Sequence, residues 1–470
     1  MIDAIDGVVL KIVDFLYQPF IVPLLLLAGG IYFTCRSRFI QGRLFKEACS
    51  VIMEKPASED GISSFGALMV STASRVGTGN IIGVSMAICL GGPGAVFWMW
   101  IVALVGGASA FVESTLAQIF KKRDTDGSSY GGPAYYMQDV LKQRWLGIFF
   151  ACFVIGTYAI GYNMLASYNL QSTFEAFSFY NSKTPVVIGI ILAILFGVII
   201  IGGAKRLTKV TEFLVPIMGI LYVAVSLLVL VINWKNIPHM FGNIFAGAFD
   251  FKSIFGGFAG SCIMWGIKRG LYSNEAGMGS APNAAATADV SHPAKQGLVQ
   301  MLSVFIDTLL ICTATAFMCL STDVTPAEDI AGASYVQSCL ADVFGGFGPI
   351  FLTTAMALFA FTTLIGNYSY CEGCLRFIIK RNLKQGEALA FRIFATVIVF
   401  VGAVASAGLV WDIADMFQGL MVITNVPSIL ILGGIAFKCL RDYERQKNEG
   451  LNPVFKSESI GIKQHTDFWN

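Results

Sequence analysis

Charge is what this chain has least of. Aspartate, glutamate, lysine and arginine make up 13% of its 470 residues, about half the share found in soluble domains. A chain this poor in charge and 55% hydrophobic reads as a polytopic membrane protein. A formal net charge of +2, with no basic face or recognition motif, argues against a nucleic-acid surface. Histidine is scarce: His239, His292 and His465 fall in expected loops or the tail and make no constellation. No Walker motif, serine nucleophile elbow or zinc-protease motif is present, so an enzyme reading has no chemistry to stand on. The eleven cysteines are odd in number and without framework spacing, and they read as packing residues rather than a disulfide scaffold. Cys371-Glu372-Gly373-Cys374 has metal or redox spacing but lacks a second cysteine pair or a nearby histidine. Residues 1–20 are acidic and have no small-residue cleavage site, so they do not read as a signal peptide.

Long apolar runs are what the chain has in quantity. They predict eleven spans, at about 18–35, 61–90, 93–120, 147–177, 184–202, 209–232, 254–290 (interrupted), 295–320, 348–378, 387–408 and 411–439. Ahead of them, Ile2, Ile5, Val8, Val9, Ile12, Val13, Leu16 and Tyr17 recur at helical spacing, predicting an amphipathic helix on the membrane surface. The basic residues test the layout. Of the 32 lysines and arginines, 25 fall on or beside the segments after the first, third, fifth, seventh and ninth spans and in the tail. The other side holds only Lys11, Lys183, Lys235 and Lys252. That bias puts the N-terminus outside and the C-terminus in the cytoplasm.

The run Ser71-Thr72-Ala73-Ser74-Arg75-Val76-Gly77-Thr78-Gly79-Asn80-Ile81 sits at the middle of the second span. Two glycines, an asparagine and an arginine at mid-depth weaken a helix and place polar groups where hydrocarbon cannot satisfy them. Such backbone is tolerated where it lines a cavity. A break near 75–79 would leave free carbonyls, suited to a cation, on one half-helix and free N–H groups, suited to a carboxylate, on the other. A glycine-rich helix packed closely on a neighbour is the other reading of the same residues. Gly77-Thr78-Gly79 also resembles part of a nucleotide fingerprint, but it lacks the strand–turn–helix setting.

Ten spans remain after the first, and they divide as five and five. Two five-span halves have opposite orientations, as inverted-repeat transporters require. The second half opens with Gly256-Gly257 and then residues 268–282, which carry Lys268, Arg269, Gly270, Gly277, Gly279 and Pro282. Both halves thus start with a glycine-interrupted segment bearing an arginine. A cytoplasmic loop with a short helix is the alternative for 268–295. The expected organisation is 1–60 (surface helix, first span and connection), 61–232 and 233–439 (two repeats) and 440–470 (cytoplasmic tail).

Gly91-Gly92-Pro93-Gly94-Ala95-Val96-Phe97-Trp98-Met99-Trp100-Ile101-Val102-Ala103-Leu104-Val105-Gly106 closely resembles the signature of the alanine or glycine:cation symporters, also called sodium:alanine symporters. Residues 74–80, Gly131-Gly132-Pro133-Ala134-Tyr135-Tyr136, residues 268–282 and Asp307-Thr308 with Cys312-Thr313-Ala314-Thr315-Ala316 resemble the family in matching order. The resemblance implies an all-α, leucine-transporter-like fold with two inverted five-helix repeats. It also implies alternating-access symport of Na+ with a small neutral amino acid, alanine or glycine, across the cytoplasmic membrane of a prokaryote. Beyond the lipid bilayer, no organic cofactor, nucleic acid or obligatory protein partner is evident.

Candidate residues follow from the break and the resemblance together. Thr78 and Gly79 would offer N–H groups to the substrate carboxylate. Ala73 and Val76 would turn carbonyls toward Na+. By resemblance to the fold's ion site, Phe359 would add a carbonyl, and Thr362 and Thr363 hydroxyls; a hard cation favours oxygen ligands. Adjacent threonines also bond back to the preceding turn of their own helix. Asn80 would bridge ion and substrate, or satisfy freed backbone. Gln171 would face the substrate, with Asn274 and Gly277 joining from the second break. Asn367 stands where alanine-transporting members carry tryptophan, which predicts a roomier, more polar pocket in which Gln171 and Asn367 hold a longer side chain such as glutamine's. Glutamine as preferred substrate, H+ as coupling ion and a passive amino-acid channel are the alternatives. Arg75, Glu113, Lys268, Arg269, Glu275 and Asp307, ionisable within or beside spans, are expected to be paired.

Overall fold

A computed structural model describes residues 2–18, 20–56, 61–125, 127–201, 204–250, 261–462 and 464–470, without the side chains of 2–5 and 204–208. The chain is almost wholly helical. Helices α1 (Ile2–Tyr17) and α2 (Ile21–Arg36) lead into α3 (Ser64–Arg75), α4 (Ile82–Gly91) and α5 (Gly94–Ile119). Next come α6 (Arg144–Ala176), α7 (Thr184–Ile200), α8 (Ala204–Ile232) and α9 (Ile237–Ala248). Helices α10 (Cys262–Asn274), α11 (Ala281–Ala285), α12 (Pro293–Leu320) and α13 (Ala333–Phe344) follow. Last are α14 (Phe347–Ile379), α15 (Gln385–Val404) and α16 (Ala407–Asn448). Among the described residues, eight helices are long and apolar enough to cross a bilayer, or nine with the bent pair α3 and α4, while α7 is shorter. The expected interrupted span 254–290 lies partly outside the described residues, Gly256 and Gly257 included, so the count of eleven is not reached here.

Most expected spans match their helices to within a few residues. The α1 stripe Val9, Val13, Leu16 and Tyr17 is buried and packs on α16, with the Tyr17 hydroxyl donating to the Asp415 carbonyl at 3.3 Å. Helix α16 runs to Asn448, past the expected boundary at 439, and its 42 residues reach about 60 Å, twice the hydrocarbon thickness.

Two half-helices start alike. The Ser63 hydroxyl caps α3 by accepting the Gly66 N–H at 2.9 Å, and the Ser261 hydroxyl caps α10 by accepting the Met264 N–H at 3.3 Å. Both then stop inside the protein. Helix α3 gives way to α4 through a 57° bend, and α10 ends on Glu275 in the left-handed region, followed by Gly277 and Gly279 at φ 86° and 82°. The second interruption is therefore a broken helix buried in the core, and the surface-loop alternative for 268–295 falls. Helix α5 packs on α10 and α12, and α14 on α3 and α6, so the two breaks meet at the centre of the molecule. Helices α6 and α12 each widen into one π-helical stretch beside them, at Gly156–Gly161 and Phe305–Cys312, a feature often found at functional positions.

Candidate functional site

The first break is built by asparagine and glycine. The last main-chain bond of α3 runs from the Val76 N–H to the Thr72 carbonyl at 2.7 Å. The next N–H, on Gly77, turns to the Asn80 side-chain oxygen at 2.7 Å. Helix continuation would have used it on Ala73, so the carbonyls of the last α3 turn are left for another partner. On the far side, the turn Thr78–Asn80 makes its first main-chain bonds from the Asn80 and Ile81 N–H groups. The N–H groups of Thr78 and Gly79 are not spent by the turn.

Asn80 holds this geometry in place. Its amide nitrogen lies 3.0 Å from the Ser273 hydroxyl on α10 and 2.7 Å from Asp307 Oδ1 on α12. Asp307 also accepts from the Ser273 and Thr308 hydroxyls at 2.7 and 2.8 Å. With its oxygen on Gly77 and its nitrogen on two other helices, Asn80 satisfies freed backbone. The expected support of freed backbone is therefore formed.

Helix α14 closes one side of the break. A Cβ added to Gly366 would sit 2.5 Å from the Ser74 nitrogen, and one added to Gly77 would sit 2.0 Å from Thr363 Oγ1. The Thr363 hydroxyl is buried against the break with no hydrogen-bond partner. Thr362 differs: its hydroxyl donates to the Leu358 and Phe359 carbonyls, each at 3.0 Å. The Thr362 proton is thus spent on its own helix, while Thr363 is the hydroxyl of the pair with no partner at all. Ala73 and Val76 are buried at the end of α3, and the Ala73 carbonyl carbon lies 3.0 Å from the Cβ built on Gly366. An orphaned buried hydroxyl beside unspent carbonyls fits the donor set a hard cation takes.

Helix α6 supplies the polar wall. The Asn367 amide donates to Asn163 Oδ1 at 3.1 Å, and Asn367 Oδ1 accepts from the Ser74 hydroxyl at 2.8 Å; the Asn163 amide nitrogen is left without a partner. Asn367 thus stands beside the break, but it does not meet Gln171. Gln171 lies two turns beyond Asn163, about 12 Å along the helix, and accepts from the Tyr180 hydroxyl at 3.3 Å. The expected Gln171 and Asn367 pair is not formed. The α6 residue that reaches the break is Asn169, whose amide donates to Thr78 Oγ1 at 3.1 Å and whose oxygen is unpartnered. From the second break, Asn274 accepts the Ala276 N–H at 3.0 Å and keeps an unpartnered amide nitrogen. Gly277 faces away: a Cβ there would meet Leu26, and its carbonyl accepts from Asn425 at 2.9 Å.

The buried charges have partners. Arg75 Nε lies 3.9 Å from Glu275 Oε2, both side chains at zero exposure, and the Ser74 hydroxyl, sharing its one proton with Asn367, lies 3.2 Å from Glu275 Oε1. Glu113 accepts from Asn425 at 2.8 Å. Arg269 grips Asp415 two-pronged at 3.3 and 3.1 Å, and Lys268 reaches the same carboxylate at 2.8 Å. Such pairs are costly to break by removing one partner.

Above the break lies a cavity of about 310 Å³ whose lining includes Asn169, Lys268, Arg269, Trp411, Asp412 and Asp415. Trp411 in its lining leads toward the break through a stack of rings. The Tyr272 ring sits edge-on between Tyr162 at 4.9 Å and Trp411 at 5.2 Å, covers Gly79 and places its hydroxyl 3.4 Å from Thr78 Oγ1. The Arg269 guanidinium stacks over Trp411 at 4.1 Å.

Unspent N–H groups, unspent carbonyls and an orphaned hydroxyl at a pair of buried helix breaks describe a binding site. The profile of the sodium:alanine symporter family matches residues 2–457, and the chain belongs to that family. It is a multi-pass Na+-coupled amino-acid symporter of the leucine-transporter-like fold. It is 44% identical to the amino-acid carrier protein AlsT of Bacillus subtilis over 95% of this chain and 94% of that one. It is likewise 44% identical to the probable sodium/glutamine symporter GlnT of the same organism, over 97% and 94%. To the sodium/alanine symporter AgcS of Methanococcus maripaludis it is 37% identical, over 93% and 97%. Among solved structures, that of MhsT in complex with L-phenylalanine matches the fold with a TM-score of 0.52 at 16% identity, covering 85% of this chain and 94% of that one.

Proposed function

We propose that this protein takes up alanine or glycine with Na+ across the cytoplasmic membrane of a prokaryote, its N-terminus outside and its tail in the cytoplasm. The observation that carries the reading is the orphaned Thr363 hydroxyl set against the unspent carbonyls at the end of α3. Na+ would sit there, on Ala73, Val76 and Thr363 oxygens. The substrate carboxylate would take the Thr78 and Gly79 N–H groups at the start of the second half-helix, where anions are favoured. Asn169 and Asn274, each with one buried unpartnered amide atom, would orient the rest of the molecule. One bundle would rock against a scaffold around this fixed site. Na+ binding would preorganise the break and raise substrate affinity, and by linkage substrate would raise Na+ affinity equally. No organic cofactor, nucleic acid or protein partner enters the scheme.

A second substrate is favoured by one observation. Asn163 carries an unpartnered amide nitrogen next to Asn367, and one of the two relatives at 44% identity is named for glutamine. A side-chain amide could fill that place. Competition against labelled alanine in proteoliposomes separates the two: glutamine competing as well as alanine supports the amide pocket, while alanine and glycine far ahead of glutamine removes it. If uptake stops when Na+ is replaced by choline at constant pH, H+ is excluded as the sole coupling ion.

A further inference from the structure

The segment after α16 is folded back against the protein. The Phe455 N–H donates to the Ser291 carbonyl at 3.0 Å, and the Ser291 hydroxyl donates to the Pro453 carbonyl at 2.8 Å. Lys295 reaches Asn452 at 3.0 Å. Further on, the Trp469 indole N–H donates to the Gln118 carbonyl at the end of α5 at 2.8 Å. The Ser457 N–H ties the segment to itself through the Trp469 carbonyl at 2.7 Å. Phe455 and Trp469 are buried at 3% and 7% exposure and meet edge-on at 5.6 Å. A polar tail left in solvent would show none of this burial.

What the segment holds is the loop that follows the second broken helix. Gln118 donates its side-chain amide to the carbonyls of Ala285 and of Ala288, the latter at 2.9 Å. Lys121 donates to the Ala288 carbonyl at 2.9 Å, with its amine 4.6 Å from the Phe468 ring and 5.1 Å from Trp469. On its other edge the loop pairs with the chain just before α3: Ile62 and Ala288 form a bridge, and the Asp289 N–H donates to the Ile62 carbonyl at 2.9 Å. One short loop therefore joins both broken helices, and residues 452–462 and 464–469 grip it together with its anchor on α5. If the first half of the first broken helix or the second half of the second is to swing and open the site on this side, the Ile62 bridge must part.

We propose that residues 452–462 and 464–469 are a latch on the inner gate, in which Trp469 and Phe455 act as positioning residues that hold loop 285–291 against Ile62 and so keep the site closed toward the cytoplasm. The latch releases once per cycle. This rests on the alternating-access reading, and the tests separate the two.

The background for the tests carries Cys35→Ser, Cys49→Ser and Cys152→Ser, removing the exposed thiols. First, Ser64→Cys in the first turn of α3, buried at 3% exposure, reports opening by its labelling rate with an impermeant maleimide applied from the tail side. Trp469→Phe, which removes the indole N–H but keeps an aromatic ring, is expected to raise that rate about fivefold, the size one net hydrogen bond supports, and Trp469→Ala, which removes the ring contacts as well, to raise it further. Labelling at the background rate in Trp469→Ala overturns the latch. Second, Phe455→Cys with Ser291→Cys is bridged by a reducible bis-thiosulfonate spacer. The bridged protein is expected to bind substrate with Na+ but not transport it, and reductant is expected to restore transport. Full transport while bridged overturns the latch. Labelling needs no transport, so a background that labels as expected yet never accumulates substrate rejects the symport reading and leaves the latch standing.

Discussion

Replacing Thr363 by valine removes one buried oxygen and keeps the side chain's shape. In the absence of Na+ that oxygen has no partner, and burying an unpaired polar group costs about 1–3 kcal/mol, so Thr363→Val should be as stable as the parent or more so. With Na+ the sign reverses. A hydrogen-bond-like contact to a charge contributes about 1.5–3 kcal/mol, which corresponds to about 10- to 150-fold in Na+ affinity. The assay is thermal unfolding in detergent at constant ionic strength, with choline exchanged for Na+. At Na+ one hundred times its dissociation constant the parent gains about 2.7 kcal/mol, whereas a tenfold weaker site gains about 1.4 kcal/mol. The Na+-dependent rise in Tm should therefore fall by half or more in Thr363→Val. Thr362→Val, whose hydroxyl is committed to the carbonyls of its own helix, should keep most of the gain. A full gain in Thr363→Val, or its loss in Thr362→Val alone, would refute the assignment.

Gly366→Ala should lower Tm and uptake together, because its Cβ would lie 2.5 Å from the main-chain nitrogen of Ser74 and overpacking costs about 1–3 kcal/mol or more. Gly434→Ala, with nothing within 4 Å, should be neutral or stabilising; equal losses at both sites would contradict the close approach of α14 to α3. His292, at the head of α12 and outside the spans, is pushed below its ordinary value by burial, with Asp442 partly opposing. The folded state then excludes a proton that the unfolded state takes up below about pH 6.5, so stability falls as pH drops through that value toward the lowered folded one. The parent should lose more Tm than His292→Gln between pH 7.5 and 5, and parallel curves would reject the assignment.

The first break was legible because its signal is local: Gly77, Thr78, Gly79 and Asn80 contradict a continuous helix at the depth where the spans place them. The second was legible as an interruption, while its burial depended on residues far along the chain, since Glu275 is held by Ser74 and Arg75. Asn80 read as an ion ligand or as backbone support, and its anchor on Asp307, more than two hundred residues away, was invisible in the sequence. Gln171 rather than Asn169 was singled out on α6 because a two-residue offset turns a helical side chain by more than half a circle, and no sequence pattern fixes that rotation. The four-residue spacing of Asn163, Ser167 and Gln171 does mark a polar stripe that includes Asn163, the partner of Asn367, but it leaves Asn169 off that face. Between Thr362 and Thr363, sequence cannot tell which hydroxyl bonds its own helix. Residues 440–470 looked like a solvated tail because their composition is polar, and the aromatic anchors Phe455 and Trp469 acquire meaning only beside Ser291 and Gln118.

The central claim is that Na+ and a small neutral amino acid move together through the site formed at the two breaks. The most direct measurement is uptake of radiolabelled alanine, and separately glutamine, into proteoliposomes with an inward Na+ gradient and with choline in its place. The account predicts accumulation above equilibrium only with the gradient, abolished when the gradient is collapsed. Equilibration of either substrate at the same rate and to the same level with and without Na+ would contradict it.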